Sequence, residues 1–142
     1  MIKPLVLLVT SLCFIAPAFV AAEQKKVFGE YEVHYIVVPT TFLNAKIATQ
    51  YNLPRGKDRA LINVSVLHRD QPVTAEVAGD TRNLLEQLQQ LEFTEVREQS
   101  AVYYLAIMRH ADEEHHRLRL NVTLPNGEAK SISFQQKMYW QH

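Results

Sequence analysis

The chain has 142 residues, 47% of them hydrophobic, and its 15 basic residues balance its 15 acidic ones. That length is a prior for one domain, and the hydrophobic share is that of a globular chain rather than a disordered one. Neutral balance gives no electrostatic footprint for nucleic acid or an anionic membrane, and four glycines without an internal repeat exclude a glycine-rich phosphate cradle.

Lys3 precedes an almost continuously apolar run from Leu5 to Val20, which Ala21 and Ala22 close before Glu23. This is the layout of a secretory signal peptide cleaved after Ala22, so residues 1–22 are read as signal and 23–142 as one exported domain. A retained span needs roughly 20 apolar residues, and Pro17 and the small-residue exit argue against one. Cys13 lies inside the signal. Leu12 before it is not the small residue that lipid attachment requires, so the mature domain is expected to be free of cysteine and of lipid. Without disulfides in an oxidising compartment, its stability has to come from a hydrophobic core.

Period-2 alternation then recurs in short runs, the pattern of half-buried strands. Val33, Tyr35 and Val37 share one face of the first run. Ile62, Val64 and Val66 form the second, and Val73, Ala75 and Val77 the third, with a tight connection at Asp70-Gln71 that sets Val66 against Ala75 and Val64 against Val77. Between them, Leu43, Ile47 and Tyr51 at i, i+4, i+8 predict a short helix over 41–51 with Thr41 as N-cap. Leu84, Leu85, Leu88 and Leu91 fit either helical spacing or a strand.

Further on, Tyr103, Leu105 and Ile107 alternate, as do Leu118, Leu120 and Val122. A four-residue loop over 111–114 would set Ile107 against Leu118 and Leu105 against Leu120, leaving one wholly apolar face. Pro125-Asn126-Gly127 reads as a three-residue turn with Gly127 left-handed, which sets Ile132 against Leu120 and Phe134 against Leu118. Six or seven short strands with tight turns and one short helix predict an all-β, antiparallel sandwich.

The runs Tyr31-Glu32-Val33-His34-Tyr35, Thr41-Phe42-Leu43, Ile47-Ala48 and Ala60-Leu61-Ile62-Asn63-Val64-Ser65-Val66 carry a resemblance. With Asn83-Leu84-Leu85, Phe93, Val96-Arg97-Glu98 and Val102-Tyr103-Tyr104, the chain resembles a family of small exported proteins of Gram-negative bacteria known only as a domain of unknown function. The resemblance implies a periplasmic, immunoglobulin-like β-sandwich and favours strand over helix around residues 83–91. It implies no activity and no catalytic residues. Where the family pattern has glycine after Asn83-Leu84-Leu85, this chain has Glu86.

Standard catalytic signatures are absent: there is no Gly-x-Ser-x-Gly, no His-Glu-x-x-His and no phosphate loop. The densest polar cluster runs from His110 through Asp112, Glu113 and Glu114 to His115 and His116. In the register above, His110 and His115 face each other on the solvent side with Cβ atoms about 5 Å apart. Asp112, Glu113 or Glu114 would then complete a zinc or copper site, while His116 falls on the other face. The alternative is a solvated polar hairpin tip.

His34, beside Glu32, is either a base or a hydrogen-bonded strand histidine. Arg55, Lys57 and Arg59 form a basic loop that would hold an anionic ligand if it is more than solvated charge. The expectation is a non-enzymatic module docking an envelope or periplasmic protein, with exposed strand edges as natural sites, no nucleic-acid partner, no stable membrane span and no cofactor. The alternative is a metal-binding module on the His110/His115 tip, and a small hydrolase ranks third.

Overall fold

A computed structural model describes residues 23–141, so the signal segment with its cleavage point and Cys13 lies outside the described residues. Ten strands are formed among the described residues: β1 (Gln24–Phe28), β2 (Tyr31–Pro39), β3 (Arg59–His68), β4 (Gln71–Val73), β5 (Glu76–Asn83), β6 (Leu88–Leu91), β7 (Thr94–Glu98), β8 (Ala101–Arg109), β9 (Glu114–Thr123) and β10 (Ala129–Met138). They make two sheets, ordered β1-β2-β3-β8-β7 with β4 also on β3, and β10-β9-β5-β6. Every pairing is antiparallel.

The inner faces share one core. Val33, Ile62, Val64 and Met108 from the first sheet meet Leu118, Leu120 and Ile132 from the second. This is a largely helix-free, two-sheet arrangement of the β-sandwich kind. No helix among the described residues is long and apolar enough to cross a membrane.

The last hairpin has the predicted register: Ile132 faces Leu120 and Phe134 faces Leu118, with Gly127 at φ 88°. The segment after Asn83 is strand rather than helix, because β5 turns back through residues 84–87 into β6. The helix is shorter than predicted. A 3-10 turn at Thr40–Phe42 precedes α1 (Ala45–Gln50), and Asn44, not Thr41, is the N-cap, its side chain accepting from the Lys46 amide at 2.8 Å.

Two predicted registers are corrected. Val66 faces Val73, not Ala75, because Arg69 and Asp70 both take left-handed conformations and close a two-residue turn, so the expected register is off by two. The chain then leaves the sheet. Ala75 donates its amide to the Tyr104 hydroxyl at 2.8 Å, and Val77 pairs with Val122 in the second sheet.

The expected hairpin between 103–107 and 118–122 does not form. β8 lies between β3 and β7, and β9 between β5 and β10, so residues 110–113 cross from one sheet to the other. The run Ala101–Met108 is apolar at almost every position, and alternation cannot assign a face to such a strand. Both its faces are covered: Tyr104, Ala106 and Met108 point into the main core, whereas Tyr103, Leu105 and Ile107 lie with Ala48, Leu53 and Leu61 in a smaller outer core under α1.

Candidate functional site

The crossover at 110–113 ends beside the β5–β6 hairpin and the C-terminal segment, and most of the sequence-predicted site residues fall there. His110 and His115 do not face each other. His115 is exposed opposite Lys137, and His110, buried at the end of β8, donates its amide to the Asp58 carbonyl at 3.0 Å. Trp140 covers it, its indole N–H donating to the His110 carbonyl at 3.1 Å while its amide donates to Asp112 Oδ1 at 2.9 Å. Glu113 sits at φ 53° in the exposed turn. Among the described residues no group of three or more His, Cys, Asp or Glu side chains is placed to hold a metal.

The residue set aside by the sequence reading, His116, is the centre of the polar network. Antiparallel pairing puts Asn83 opposite His116 and Thr81 opposite Leu118 on the inner face. His116 Nε2 is hydrogen-bonded to Glu114 Oε1, and because a carboxylate only accepts, Nε2 carries the proton. Its Nδ1 is hydrogen-bonded to the buried Thr81 hydroxyl at 2.8 Å.

Glu114 also accepts from the Ala111 amide at 3.2 Å and from Asn83 Nδ2 at 3.4 Å. Burial pushes its carboxyl up, but the bonds from His116, Ala111 and Asn83, with the attraction of His116, outweigh that and hold it below the ordinary carboxylate range. Hydroxyl, imidazole and carboxylate are thus in line as in a nucleophilic triad, but Thr81 is fully buried and its hydroxyl cannot meet a substrate. Beside the network, Asn83, Gln89, His110 and Glu114 line a cleft of about 360 Å³. His110 Nδ1 donates to the Ala111 carbonyl at 2.9 Å.

At the rim of this cleft the hairpin tip exposes Leu84 and Leu85 by 74% and 79%, and Leu88 is half exposed behind them. The tip is shaped by Asn83, whose Oδ1 accepts from the amides of Leu85 and Gln87 at 3.0 Å each, so the exposed leucine side chains take no part in holding it. Sequence reasoning counted them toward a periodic apolar stripe. The signal that locates them is the glycine slot filled by Glu86, which sits at φ 59°. A position favouring glycine marks a turn, and a turn there puts Leu84 and Leu85 at its apex.

The basic loop is not gathered into one site. Arg55 donates to the carbonyls of Thr40 and Thr41 at 3.4 Å each, Lys57 lies 4.5 Å over the Trp140 ring, and Arg59 approaches Asp58 at 3.9 Å. His34 is held between Glu32 and Glu23, at 3.0 Å from each. The Glu32 carboxyl is lowered chiefly by its bond to His34.

The chain belongs to the family described as Domain of unknown function (DUF4426), whose family model matches residues 25–141. A DUF4426 family protein from Pseudomonas aeruginosa PAO1, solved by crystallography, is 31% identical over 84% of this chain and 97% of its own, with a TM-score of 0.79. At 11% identity, two structures of FetP from uropathogenic Escherichia coli strain F11 share the fold. A copper-bound variant has a TM-score of 0.60 over 85% of this chain and 97% of its own, and the as-isolated protein 0.55 over 86% and 97%. No curated protein matches.

Proposed function

We propose that the protein is an exported, periplasmic, immunoglobulin-like sandwich module that acts by docking another protein of the envelope, and that the β5–β6 hairpin tip makes the contact. The observation that carries this reading is the pair Leu84 and Leu85, exposed by 74% and 79% at an apex whose conformation does not need them. Scattered exposed apolar residues are ordinary, but adjacent leucines on a projecting turn, with Leu88 behind, form a patch. Burying a leucine side chain contributes about 1.5–3 kcal/mol, so two of them suffice to anchor a transient contact.

Of the strand edges, the other natural docking sites, three are guarded, whereas β6 carries no charge. β1 carries Lys25 and Lys26, β7 carries Glu95, Arg97 and Glu98, and β10 carries Lys130 and Lys137. Edge charges of this kind deter strand addition. Export rests on the signal layout of residues 1–22 and on the family.

A metal-binding role has less support. FetP binds copper, but at 11% identity the likeness carries the fold alone, and His110 and His115 are apart here. The test is co-purification from an envelope fraction. Leu84→Asp/Leu85→Asp, which leaves the Asn83-built turn intact, is expected to lose a partner that wild type retains. Equal recovery with both proteins would refute the reading.

A further inference from the structure

The outer face of the second sheet carries three guanidinium groups around a cleft of about 460 Å³. Arg82 and Arg117 are direct cross-strand partners, and Arg119 faces Asp80 on one side and Ser133 on the other. Like charges directly opposite on neighbouring strands repel. Here the repulsion is relieved from outside the sheet, by Glu86 of the hairpin tip. Its Oε2 lies 3.5 Å from Arg82 Nη1, and its Oε1 is hydrogen-bonded to Arg117 Nη2. Asp80 takes Arg119 at 3.1 Å. Three arginines against two carboxylates leave the cleft with one net positive charge.

We propose that this cleft binds a phosphate group, with Arg82 and Arg117 as its principal ligands, and that Glu86 is the resident carboxylate that the phosphate displaces. Two planar guanidinium forks match the acceptor oxygens of a phosphate; a free phosphate or monoester carries about −1.5 to −2 charges against the single charge of Glu86, and a lipid phosphodiester carries one but offers two oxygens to the forks. Both guanidinium side chains are open to solvent, at 41% and 53% exposure. Ser133 and Gln135 line the opposite wall and offer neutral donors.

Glu86 is also easy to move. Its side chain is 59% exposed, so rotating it away from the two guanidinium groups uncovers no core and leaves the Asn83-built turn in place. The ligand is either a soluble phosphate compound or the headgroup of a phospholipid. The exposed Leu84 and Leu85 side chains do not line the cleft, and the uncharged change Leu84→Ala/Leu85→Ala is expected to leave phosphate binding unchanged.

The experiment titrates the exported protein with inorganic phosphate while following the Nε–H resonances of its arginines, and in parallel sediments it with phosphatidylglycerol-containing or pure phosphatidylcholine vesicles. Saturable shifts of Arg82 and Arg117 are expected. Glu86→Gln should tighten binding roughly five- to tenfold, the equivalent of one exposed ion pair of about 1 kcal/mol. Arg117→Gln should abolish binding in both backgrounds, with an unchanged melting profile showing that the variant is folded. Sedimentation with phosphatidylglycerol alone, lost in Arg117→Gln, assigns the phosphate to a lipid; phosphate binding without sedimentation assigns it to a soluble compound. Absence of binding to either probe by Glu86→Gln, or binding that survives Arg117→Gln, would overturn the proposal.

Discussion

The loops Leu84-Leu85-Glu86 and Pro125-Asn126-Gly127 share one hydrogen-bond pattern. In each, the third residue donates its amide to the carbonyl before the loop, at 3.0 Å from Glu86 to Asn83 and 2.8 Å from Gly127 to Leu124. Both third residues are left-handed, at φ 59° and 88°. Gly127 was legible from its turn sequence, because only glycine takes that conformation freely. Glu86 was legible only as a departure from a family pattern, since nothing in a glutamate announces positive φ.

Gly127→Val is expected to destabilise by more than about 1 kcal/mol, read as a lower urea midpoint. Glu86→Ala keeps the strain and loses the arginine partners, whereas Glu86→Gly loses the partners and removes the strain. At high salt, where exposed ion pairs are screened, Glu86→Gly should exceed wild type by about 1 kcal/mol and Glu86→Ala should not. Equal midpoints for the glycine and alanine variants would show that the left-handed conformation carries no penalty.

At the scale of elements, alternation read correctly in β9 and β10, where one face is wet and Leu120 opposes Ile132. It failed at β8, where both faces are dry and neighbouring Leu105 and Ala106 are equally buried in different cores. That failure also misplaced the candidate site, because setting His110 against His115 depended on a β8–β9 hairpin.

The crossover from β4 to β5 is anchored by Tyr104, whose hydroxyl accepts from the Ala75 amide and donates to Glu95 Oε1 at 2.9 Å. Tyr104→Phe should cost about 1–3 kcal/mol, measured by urea unfolding, because the Ala75 amide loses its acceptor. Glu114 adds a pH-dependent contribution. Its carboxyl titrates lower in the folded state than in the unfolded one, so its stabilisation is present above the ordinary carboxylate range and disappears as pH falls through the depressed value. Glu114→Gln should therefore be less stable than wild type near neutrality, and the difference should shrink on acidification. A constant difference across that range would remove Glu114 as the titrating group.

For the whole molecule, the His116 network and the exposed Leu84 and Leu85 lie together where β5 turns into β6 and the chain crosses from β8 to β9. The two-sheet architecture was visible from strand number and turn spacing, and the family from ordered motifs along most of the chain. Sheet assignment was not, because it depends on crossovers whose anchors, Tyr104 to Ala75 and His110 to Asp58, are far apart in sequence. The central claim is that the hairpin tip meets a protein partner. Its most direct measurement is in-cell photocrosslinking of the exported protein, with a photoreactive residue at Leu85 and a control at Lys26 on the β1 edge. A discrete protein adduct at Leu85 that disappears when Leu84→Asp is added, with none at Lys26, is the predicted result. No adduct at Leu85, or the same adducts from both positions, would contradict the account.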